Sequence, residues 1–252
     1  MINNDLLYYI PSGEFGKEGV LGLLKTHPEI RFVSLVGIDL AGNDTDEKVP
    51  IELFLKNYDD FFAGTAVQTD GSSVVLMNIA TLNDARVDMV ADASVNWYID
   101  YNEDNLYSNG RPVGTLRIPC FLLHNGKFID SRSILKESCA FVAEKLKGLL
   151  ASGKLVKGME DLPVDEIEDI KFTIGTELEF WVKTPSETET VQHLSISQRL
   201  QEQYWQRMRG NVRTAMEEAI EELDARGMHV EMGHKEGRRS GTYRRCLRTA
   251  RT

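Results

Sequence analysis

The clearest pattern of hydrophobic and polar positions lies in the segment Phe172 to Lys183, F-T-I-G-T-E-L-E-F-W-V-K. Alternation over this length predicts a β-strand with one buried face. Two carboxylates, Glu177 and Glu179, share the other face and are separated by roughly 7 Å along the strand. Like charges on one face repel each other, so the segment is either a solvated edge strand or part of a divalent-cation site.

The first part of the chain contains several short segments with strand or helix patterns. We predict a helix at residues 17–25 and a strand entering a turn from Ile30 to Asp44. Lys48 to Phe54 is a candidate hairpin partner, although Pro50 places it at an edge or outside the ladder. Thr115 to His124 is another predicted strand, so the first ~120 residues form an α+β module.

Apolar residues next recur at helical spacing after Asp130. We predict a helix that is capped by Ser131 or Ser133 and runs to about Leu150. Its expected apolar face consists of Ile134, Leu135, Phe141, Val142, Leu146 and Leu149. Residues 157–170 are acidic and contain Pro163, which indicates a surface linker.

A second long helix is predicted to begin at Ser195 or Ser197 and to end at Arg226-Gly227. Its apolar stripe, which we interpret as core, consists of Leu200, Tyr204, Met208, Val212, Met216, Ile220 and Leu223. A strand from Met228 to Glu236 follows. This β-α-β arrangement predicts that both acidic strands lie in one sheet and gather their carboxylates on one surface.

Composition is ordinary for a globular protein, with 252 residues and an apolar fraction of 42%. The length suits one large domain or two modest ones. The chain has no apolar run near the ~18 residues of a membrane span, and its N-terminus lacks a signal-peptide pattern. The cysteines, Cys120, Cys139 and Cys246, have no metal-ligand spacing and cannot all pair, which fits a reducing cytoplasm.

The net charge of −10 argues against general nucleic-acid binding, but it conceals an asymmetry. Residues 237–252 contain six arginines and no acidic residue. Without those six positive charges, the net charge of −10 becomes −16 for residues 1–236. The tail therefore differs in composition from the body of the chain.

A further candidate site is the segment T-D-G-S-S at residues 69–73. An Asp-Gly pair followed by serines is typical of a hairpin turn. Alternatively, Asp70 could serve as a general base or as a cation-binding carboxylate. His234 is either a surface imidazole or a metal ligand. The sequence contains no Walker loop, no dinucleotide fingerprint and no nucleophile elbow.

Taken in order, these motifs resemble glutamine synthetase from about Phe32 to Glu236. F-V-S-L-V-G-I-D-L-A-G is similar to the first strands of that family's β-grasp domain, and T-D-G-S-S is similar to its Asp-Gly-Ser-Ser loop. T-L-R-I-P-C-F-L-L-H-N-G-K-F-I-D-S-R is similar to the passage into the catalytic domain. G-T-E-L-E-F-W and V-E-M-G-H-K-E are similar to its Gly-x-Glu-x-Glu-Phe and Glu-x-x-His-[His/Lys]-Glu strands.

The resemblance implies an α+β fold with a β-grasp-like domain at residues 15–114. The first part of the catalytic domain then occupies residues 115–236, and an aberrant arginine-rich tail occupies residues 237–252. The family forms rings of identical subunits, which implies a homo-oligomer in the cytoplasm without nucleic-acid or membrane partners.

The resemblance also implies roles for the acidic strands. Glu177, Glu179 and Glu236 would be ligands of two Mg²⁺ or Mn²⁺ ions. Glu231 would line the nucleotide pocket, and His234 would lie beside it.

Asp70 and Ser73 would approach the ammonium site of a neighbouring subunit, where Asp70 would act catalytically by helping to remove a proton. The family reaction transfers the γ-phosphoryl group of ATP to L-glutamate. Ammonia then displaces phosphate from γ-glutamyl phosphate, which yields glutamine for biosynthesis and nitrogen assimilation. Phosphoryl transfer depends mainly on positioning and charge neutralisation, which metal-bound carboxylates provide.

After Glu236 the chain departs from the family, which continues for roughly as much chain again and supplies further ligands and phosphate-binding arginines. We therefore expect a truncated chain with a frameshift after Glu236. Glycine and most arginine codons begin G-G or C-G, so a one-base shift gives codons for Val, Ala, Asp, Glu or Gly. The alternative is a basic tail for an anionic partner.

An incomplete two-metal site would hold ions loosely, because the remaining carboxylates repel one another. A truncated sheet would also expose an edge and an apolar face. We expect this chain alone to have little or no synthetase activity and to aggregate. Two hypotheses remain: a truncated glutamine synthetase, and a non-catalytic fragment that associates with intact synthetase subunits.

Overall fold

The computed structural model describes residues 2–13, 16–76, 79, 86–152, 157–158, 167–181, 210–237 and 243–250. The chain divides into a larger compact unit, Asp5–Phe172, and a smaller one formed by Met1–Asn4 and Thr173–Thr252. This division falls at the start of the predicted carboxylate strand. The predicted domain boundary at 114/115 lies within a continuous strand, Pro112–His124.

The larger unit is built on an eight-stranded mixed sheet. Its strands are β1 (Tyr9–Ile10), β2 (Ile30–Val36), β3 (Glu47–Pro50), β4 (Gln68–Asp70), β5 (Arg86–Ala91), β6 (Trp97–Leu106), β7 (Pro112–His124) and β8 (Lys127–Phe128). The main order is β1-β6-β7-β2-β3. Strand β5 also pairs with β7 and in turn with β4, and the short β8 pairs with β7. Strands β2 and β7 are parallel, whereas the other pairs are antiparallel. The predicted α+β class is thereby confirmed.

Four helices accompany this sheet in the described part of the larger unit. They are α1 (Lys17–Thr26), α2 (Ile51–Lys56), α3 (Tyr58–Ala63) and α4 (Ser131–Ala151). Helix α1 matches the predicted helix at residues 17–25. Helices α2 and α3 contribute an aromatic cluster to the core. The Phe54 ring lies 4.9 Å from Phe61 and 6.4 Å from Trp97, both in edge-to-face contact. Such pairs stabilise a core beyond simple area burial.

The segment Lys48 to Phe54 is only partly the hairpin partner that we predicted. Strand β3 pairs antiparallel with β2 at the edge of the sheet, and it ends at Pro50. Helix α2 begins immediately afterwards at Ile51. Proline has no N–H to donate to a ladder, but its fixed φ suits entry into a helix. The expectation that Phe54 lies in a strand was therefore wrong.

Helix α4 spans the predicted residues, but its N-cap is Asp130 and neither Ser131 nor Ser133. The Asp130 carboxylate accepts hydrogen bonds from the Ser133 N–H at 2.9 Å and the Ser133 hydroxyl at 2.6 Å. It also accepts the Leu122 N–H of β7 at 3.0 Å. The Ser131 hydroxyl instead donates to the Asp39 carbonyl oxygen. A carboxylate can accept several N–H bonds, so Asp130 joins the helix start to the sheet.

The predicted apolar face of α4 does not form core in the structure. Exposed fractions are 56% for Leu135, 58% for Phe141 and 48% for Val142. Within this helix the buried residues are Ser133 and Leu150, near its two ends. Helical periodicity identifies an amphipathic face, but it does not identify what covers that face.

The smaller unit contains three strands and one helix among its described residues: β9 (Gly175–Trp181), α5 (Gly210–Ala225), β10 (Val230–Gly237) and β11 (Tyr243–Ala250). Strands β9 and β10 match the two predicted acidic strands. The predicted start of the second long helix lies outside the described residues. Its predicted end is confirmed, because Gly227 has φ 69° and its N–H donates to the Asp224 carbonyl oxygen at 2.9 Å.

Candidate functional site

The two predicted carboxylate strands lie in one sheet, as expected, but they are not neighbours. The order is β10-β11-β9, and both pairings are antiparallel. The middle strand, β11, belongs to the arginine-rich segment that we had expected to be an aberrant tail. In the structure, residues 243–250 of this segment complete the sheet between β9 and β10.

The register of this sheet aligns three cross-strand rows, each centred on a residue of β11. The rows are Glu177–Arg248–Met232, Glu179–Cys246–His234 and Trp181–Arg244–Glu236. Directly opposite residues in antiparallel strands share a face, and so do residues two apart on one strand. All three rows therefore occupy one face, which we call the charged face. The register thus places the predicted metal ligands Glu177, Glu179 and Glu236 on a common surface.

Helix α5 packs against the other face of the same sheet. A Cβ atom on Gly233 would lie 2.8 Å from Ile220 Cδ1 and 3.0 Å from Met216 Sδ, so the helix approaches β10 at this position. The Met216 side chain is fully buried. Gly233 pairs with Leu247, which pairs with Leu178. This apolar row faces the helix, and strand alternation assigns the charged face to the opposite side.

The charged face carries both signs of charge. Three carboxylate positions, Glu177, Glu179 and Glu236, contribute three negative charges. Arg248 is paired in register with Glu177, and Arg244 with Glu236. These five side chains sum to one negative charge, so the face is far less acidic than the two acidic strands alone. Opposite charges in cross-strand register favour this pairing, whereas Lys235 and Arg245, directly opposite each other on the other face, place two like charges in register.

The predicted nucleotide-binding residues Glu231 and His234 both lie on β10. The register shifts between Val230 and Met232, so Glu231 falls at an irregularity of the ladder and is exposed. His234 is half-buried within the regular part of the strand. Side chains alternate regularly between the two faces from Met232 onward, which places His234 on the charged face. Because of the irregularity, this alternation does not extend to Glu231.

Asp70 and Ser73 lie in the larger unit, in the turn that the sequence predicted. The Ser73 N–H donates to the Asp70 carbonyl oxygen at 2.9 Å, and the Ser72 N–H donates to the Asp70 carboxylate at 2.6 Å. The hydrogen bonds from Ser72 lower the pKa of the Asp70 carboxyl. Such a group is anionic at neutral pH and is a weak base, which suits binding a cation better than removing a proton.

One residue that sequence analysis missed, Asp39, binds the segment that follows this turn. Its carboxylate accepts the N–H groups of Ala41, Asn43 and Val75 and the Asn43 side-chain amide, at distances of 2.8–3.0 Å. Burial raises the Asp39 pKa, but these bonds outweigh it and lower the pKa overall. Asp39 thereby ties the loop after β2 to the segment after Ser73. The composition D-L-A-G-N-D, which is typical of an Asx turn, could have indicated it.

The described part of the chain was also searched for metal-holding groups and for membrane-spanning helices. Among the residues whose side chains the structure describes, which do not include Glu177, Glu179 and Glu236, no group of three or more His, Cys, Asp or Glu could hold a metal ion. None of the described helices is long and apolar enough to cross a membrane.

No protein-family model matches the chain, and no curated protein matches it in sequence. Solved structures match it by fold. Apo GmaS without ligand has a TM-score of 0.51 and 15% identity, and the match covers 91% of this chain and 45% of that one. Plasmodium falciparum glutamine synthetase, solved by cryo-electron microscopy, has a TM-score of 0.54 and 14% identity, with 93% and 44% coverage. The chain therefore has an α+β fold like that of these proteins and spans less than half of their length.

Proposed function

We propose that the chain is part of a glutamine synthetase-like ligase, which uses ATP to join ammonia to the side-chain carboxylate of L-glutamate through γ-glutamyl phosphate. Two observations support this proposal. Glu177, Glu179 and Glu236 lie on the same face of the sheet by register, and the fold is similar to that of a glutamine synthetase. The proposal includes homo-oligomers in the cytoplasm and roles in glutamine biosynthesis and nitrogen assimilation.

The carboxylates of the charged face fit Mg²⁺ or Mn²⁺, which prefer hard oxygen ligands. In this proposal Glu177, Glu179 and Glu236 hold the metal. The metal would neutralise phosphate charge during phosphoryl transfer. Arg244 is paired in register with Glu236 and Arg248 with Glu177, so two positive charges on this face would oppose the binding of a cation. We therefore expect the chain alone to bind Mg²⁺ weakly and to have little synthetase activity.

The remaining roles follow the same proposal. Glu231 and His234 would bind the nucleotide. Asp70 and Ser73 would form the ammonium site, where the lowered pKa of Asp70 keeps a negative charge available for the cation. Asp39 would hold the segment that follows this turn, through the Val75 N–H.

The test is an assay of phosphate release with ATP, L-glutamate, ammonium and Mg²⁺. We would compare this chain with a second one, in which the codons after Glu236 are read one base later and translation continues in that frame. We expect release close to background for the first, and release that requires both glutamate and ammonium for the second. Glu179→Gln should abolish that release, whereas Glu103→Gln, a substitution at an exposed position of β6, should leave it unchanged. Failure of both chains to release phosphate would contradict the proposal.

A second candidate function is a non-catalytic fragment that joins intact synthetase subunits. The exposed apolar side chains of α4, including Leu135, Phe141 and Val142, favour it, because such a face is typical of a protein–protein contact. Co-purification with a full-length synthetase subunit, lost on Phe141→Asp substitution, would support this candidate. Phosphate release by the chain alone, dependent on glutamate and ammonium, would exclude a purely non-catalytic role.

A further inference from the structure

Helix α4 presents a broad apolar face to solvent along its middle turns. Its five most exposed large apolar side chains are 44–58% exposed, and they are Ile134, Leu135, Phe141, Val142 and Leu149. They recur at helical spacing, so they lie on one side of the helix. The buried residues of α4 lie near its two ends. The described part of the chain therefore leaves the middle of this face without a cover.

Two charged residues lie in line with Phe141 on this helix. Glu137 precedes Phe141 by one helical turn, and Lys145 follows it by one turn, so the three side chains form one row along the helix. The Lys145 ammonium lies over the Phe141 ring, 5.2 Å from the ring centroid. Both charged residues are exposed, and neither has an ion-pair partner among the described residues.

We propose that this face binds a second copy of the chain, with the two α4 helices packed antiparallel about a twofold axis beside Phe141. Residues at equal distances before and after Phe141 then face each other across the axis. Glu137 of each copy therefore lies opposite Lys145 of the other, and the two Phe141 rings meet at the axis. A twofold interface between identical chains requires such a self-complementary surface.

The neighbouring apolar row has the same symmetry. Leu135 and Leu149 each lie two helical turns from Val142, one before it and one after it. This seven-residue spacing is that of a helix that packs against a second helix. An antiparallel pair places Leu135 of one copy against Leu149 of the other. A parallel pair would instead bring like charges together at both charged positions, so the charges favour the antiparallel arrangement.

The area of this contact fits a weak, reversible dimer. Helix α4 has 21 residues. It is therefore about 30 Å long and about 10 Å across, and one face of it buries on the order of 300 Å² per copy. Stable interfaces bury about 800 Å² per partner, and smaller ones belong to transient complexes. We therefore expect a dissociation constant on the order of 100 µM, below which the chain is monomeric and the face is exposed.

The experiment is sedimentation equilibrium of the purified full chain, under reducing conditions and without ATP or glutamate. The concentration is varied from about 5 µM to about 1 mM, which brackets the expected dissociation constant. We expect the mean mass to rise from that of one chain, 28.5 kDa, towards that of two chains. Phe141→Asp should keep the chain monomeric throughout, because it would place two carboxylates at the axis.

Charge variants test the antiparallel arrangement. Glu137→Lys and Lys145→Glu should each weaken the dimer by about 10-fold, because like charges then face each other at two symmetric positions. The double variant restores opposite charges and should recover the affinity. An equimolar mixture of the two single variants should also associate more tightly than either variant alone. Added salt should reduce these differences.

Matched controls distinguish this contact from general hydrophobic association. Leu106 of β6 is 62% exposed, so Leu106→Asp removes an exposed apolar side chain elsewhere and should leave the dimer unchanged. Cys139→Ser in α4 should also leave it unchanged, which excludes a disulfide between copies. Phe141 is exposed in the single chain, so its substitution should not unfold the protein, and circular dichroism of each variant checks this.

Three results would overturn the proposal. They are a mass of one chain at every concentration, growth beyond two chains without a plateau at the dimer, and association that survives Phe141→Asp. If the chain stays monomeric but binds an intact synthetase subunit through α4, the face belongs to that partner instead. None of these outcomes depends on phosphate release, so the dimer and the ligase function succeed or fail separately.

Discussion

The two units of this chain are ordered by different forces. The larger unit has an aromatic core around Phe54 and Trp97, and it buries carboxylates that accept several hydrogen bonds, including Asp39 and Asp130. The smaller unit has one helix against one face of a three-stranded sheet, and its other face carries rows of charged positions. Apolar burial and satisfied hydrogen bonds specify the first unit, whereas cross-strand charge contributes to the register of the second.

The strongest test of this difference removes an aromatic ring from the larger unit. Phe54→Ala should lower the free energy of unfolding by about 3–5 kcal/mol, because it leaves a cavity among Tyr58, Phe61 and Trp97. Phe141→Ala on the exposed face of α4 is the matched control and should cost about 0.5 kcal/mol or less. Urea denaturation measures both. Equal losses would mean that the α4 face is covered in solution.

A second test concerns a buried charge. Asp39→Ala leaves the N–H groups of Ala41, Asn43 and Val75 without their carboxylate and should cost about 2–4 kcal/mol. Asp39 has a lowered pKa when folded, so its stabilisation is present above the ordinary value of 3.8 and is lost as pH falls through the folded pKa. The difference in unfolding free energy between the native chain and Asp39→Asn should therefore shrink below about pH 4. A difference that is independent of pH would contradict the lowered pKa.

A pair of glycine substitutions compares the two units with the same chemical change. Gly233→Ala should lower the unfolding free energy by about 1 kcal/mol, because its Cβ would meet Ile220 and Met216 at 3.0 Å or less. Gly22→Ala in α1 should raise it by about 0.5–1 kcal/mol, since that position is helical and open. A urea midpoint that rises for Gly233→Ala, as it should for Gly22→Ala, would show that α5 does not pack closely on β10.

The smallest expected effect is electrostatic. Glu177→Arg and Arg248→Glu should each lower the amide protection of residues 243–250 in hydrogen exchange, by about 0.5 kcal/mol. The double variant restores opposite charges in register and should recover most of that protection. Added salt should reduce all of these differences. A double variant that is less protected than either single one would argue against the observed register.

Sequence patterns located the acidic strands, the end of α5 and the turn at Asp70, because each depends on local alternation or on turn residues. The central position of β11 was missed, since its four-residue core R-R-C-L combines charges with few apolar residues. Its place in the sheet depends on pairing with strands that are distant in sequence. The N-cap Asp130 was missed because two nearby serines were equally good local candidates, and the deciding bond comes from Leu122 on another element.

The candidate site shows the same limit. Spacing along the chain predicted that Glu177 and Glu179 lie on one face of a strand. The β-α-β pattern predicted that this strand and the strand of Glu236 belong to one sheet. The cysteines have no metal-ligand spacing along the chain, and only the register shows that Cys246 lies between Glu179 and His234. Patterns within one segment can be read directly, whereas cross-strand rows require knowledge of which strands are adjacent.

The long strand β7 also limits the order in which this protein can fold during synthesis. It is the parallel partner of β2 and the antiparallel partner of β5, β6 and β8. Arg111, just before β7, contacts Glu29, just before β2, across a separation of 82 residues. Contacts at such separation form slowly, and domains emerge from the ribosome N-terminus first. Until β7 has been translated, β2 has only β3 beside it, so the nascent chain holds an incomplete sheet with one open edge.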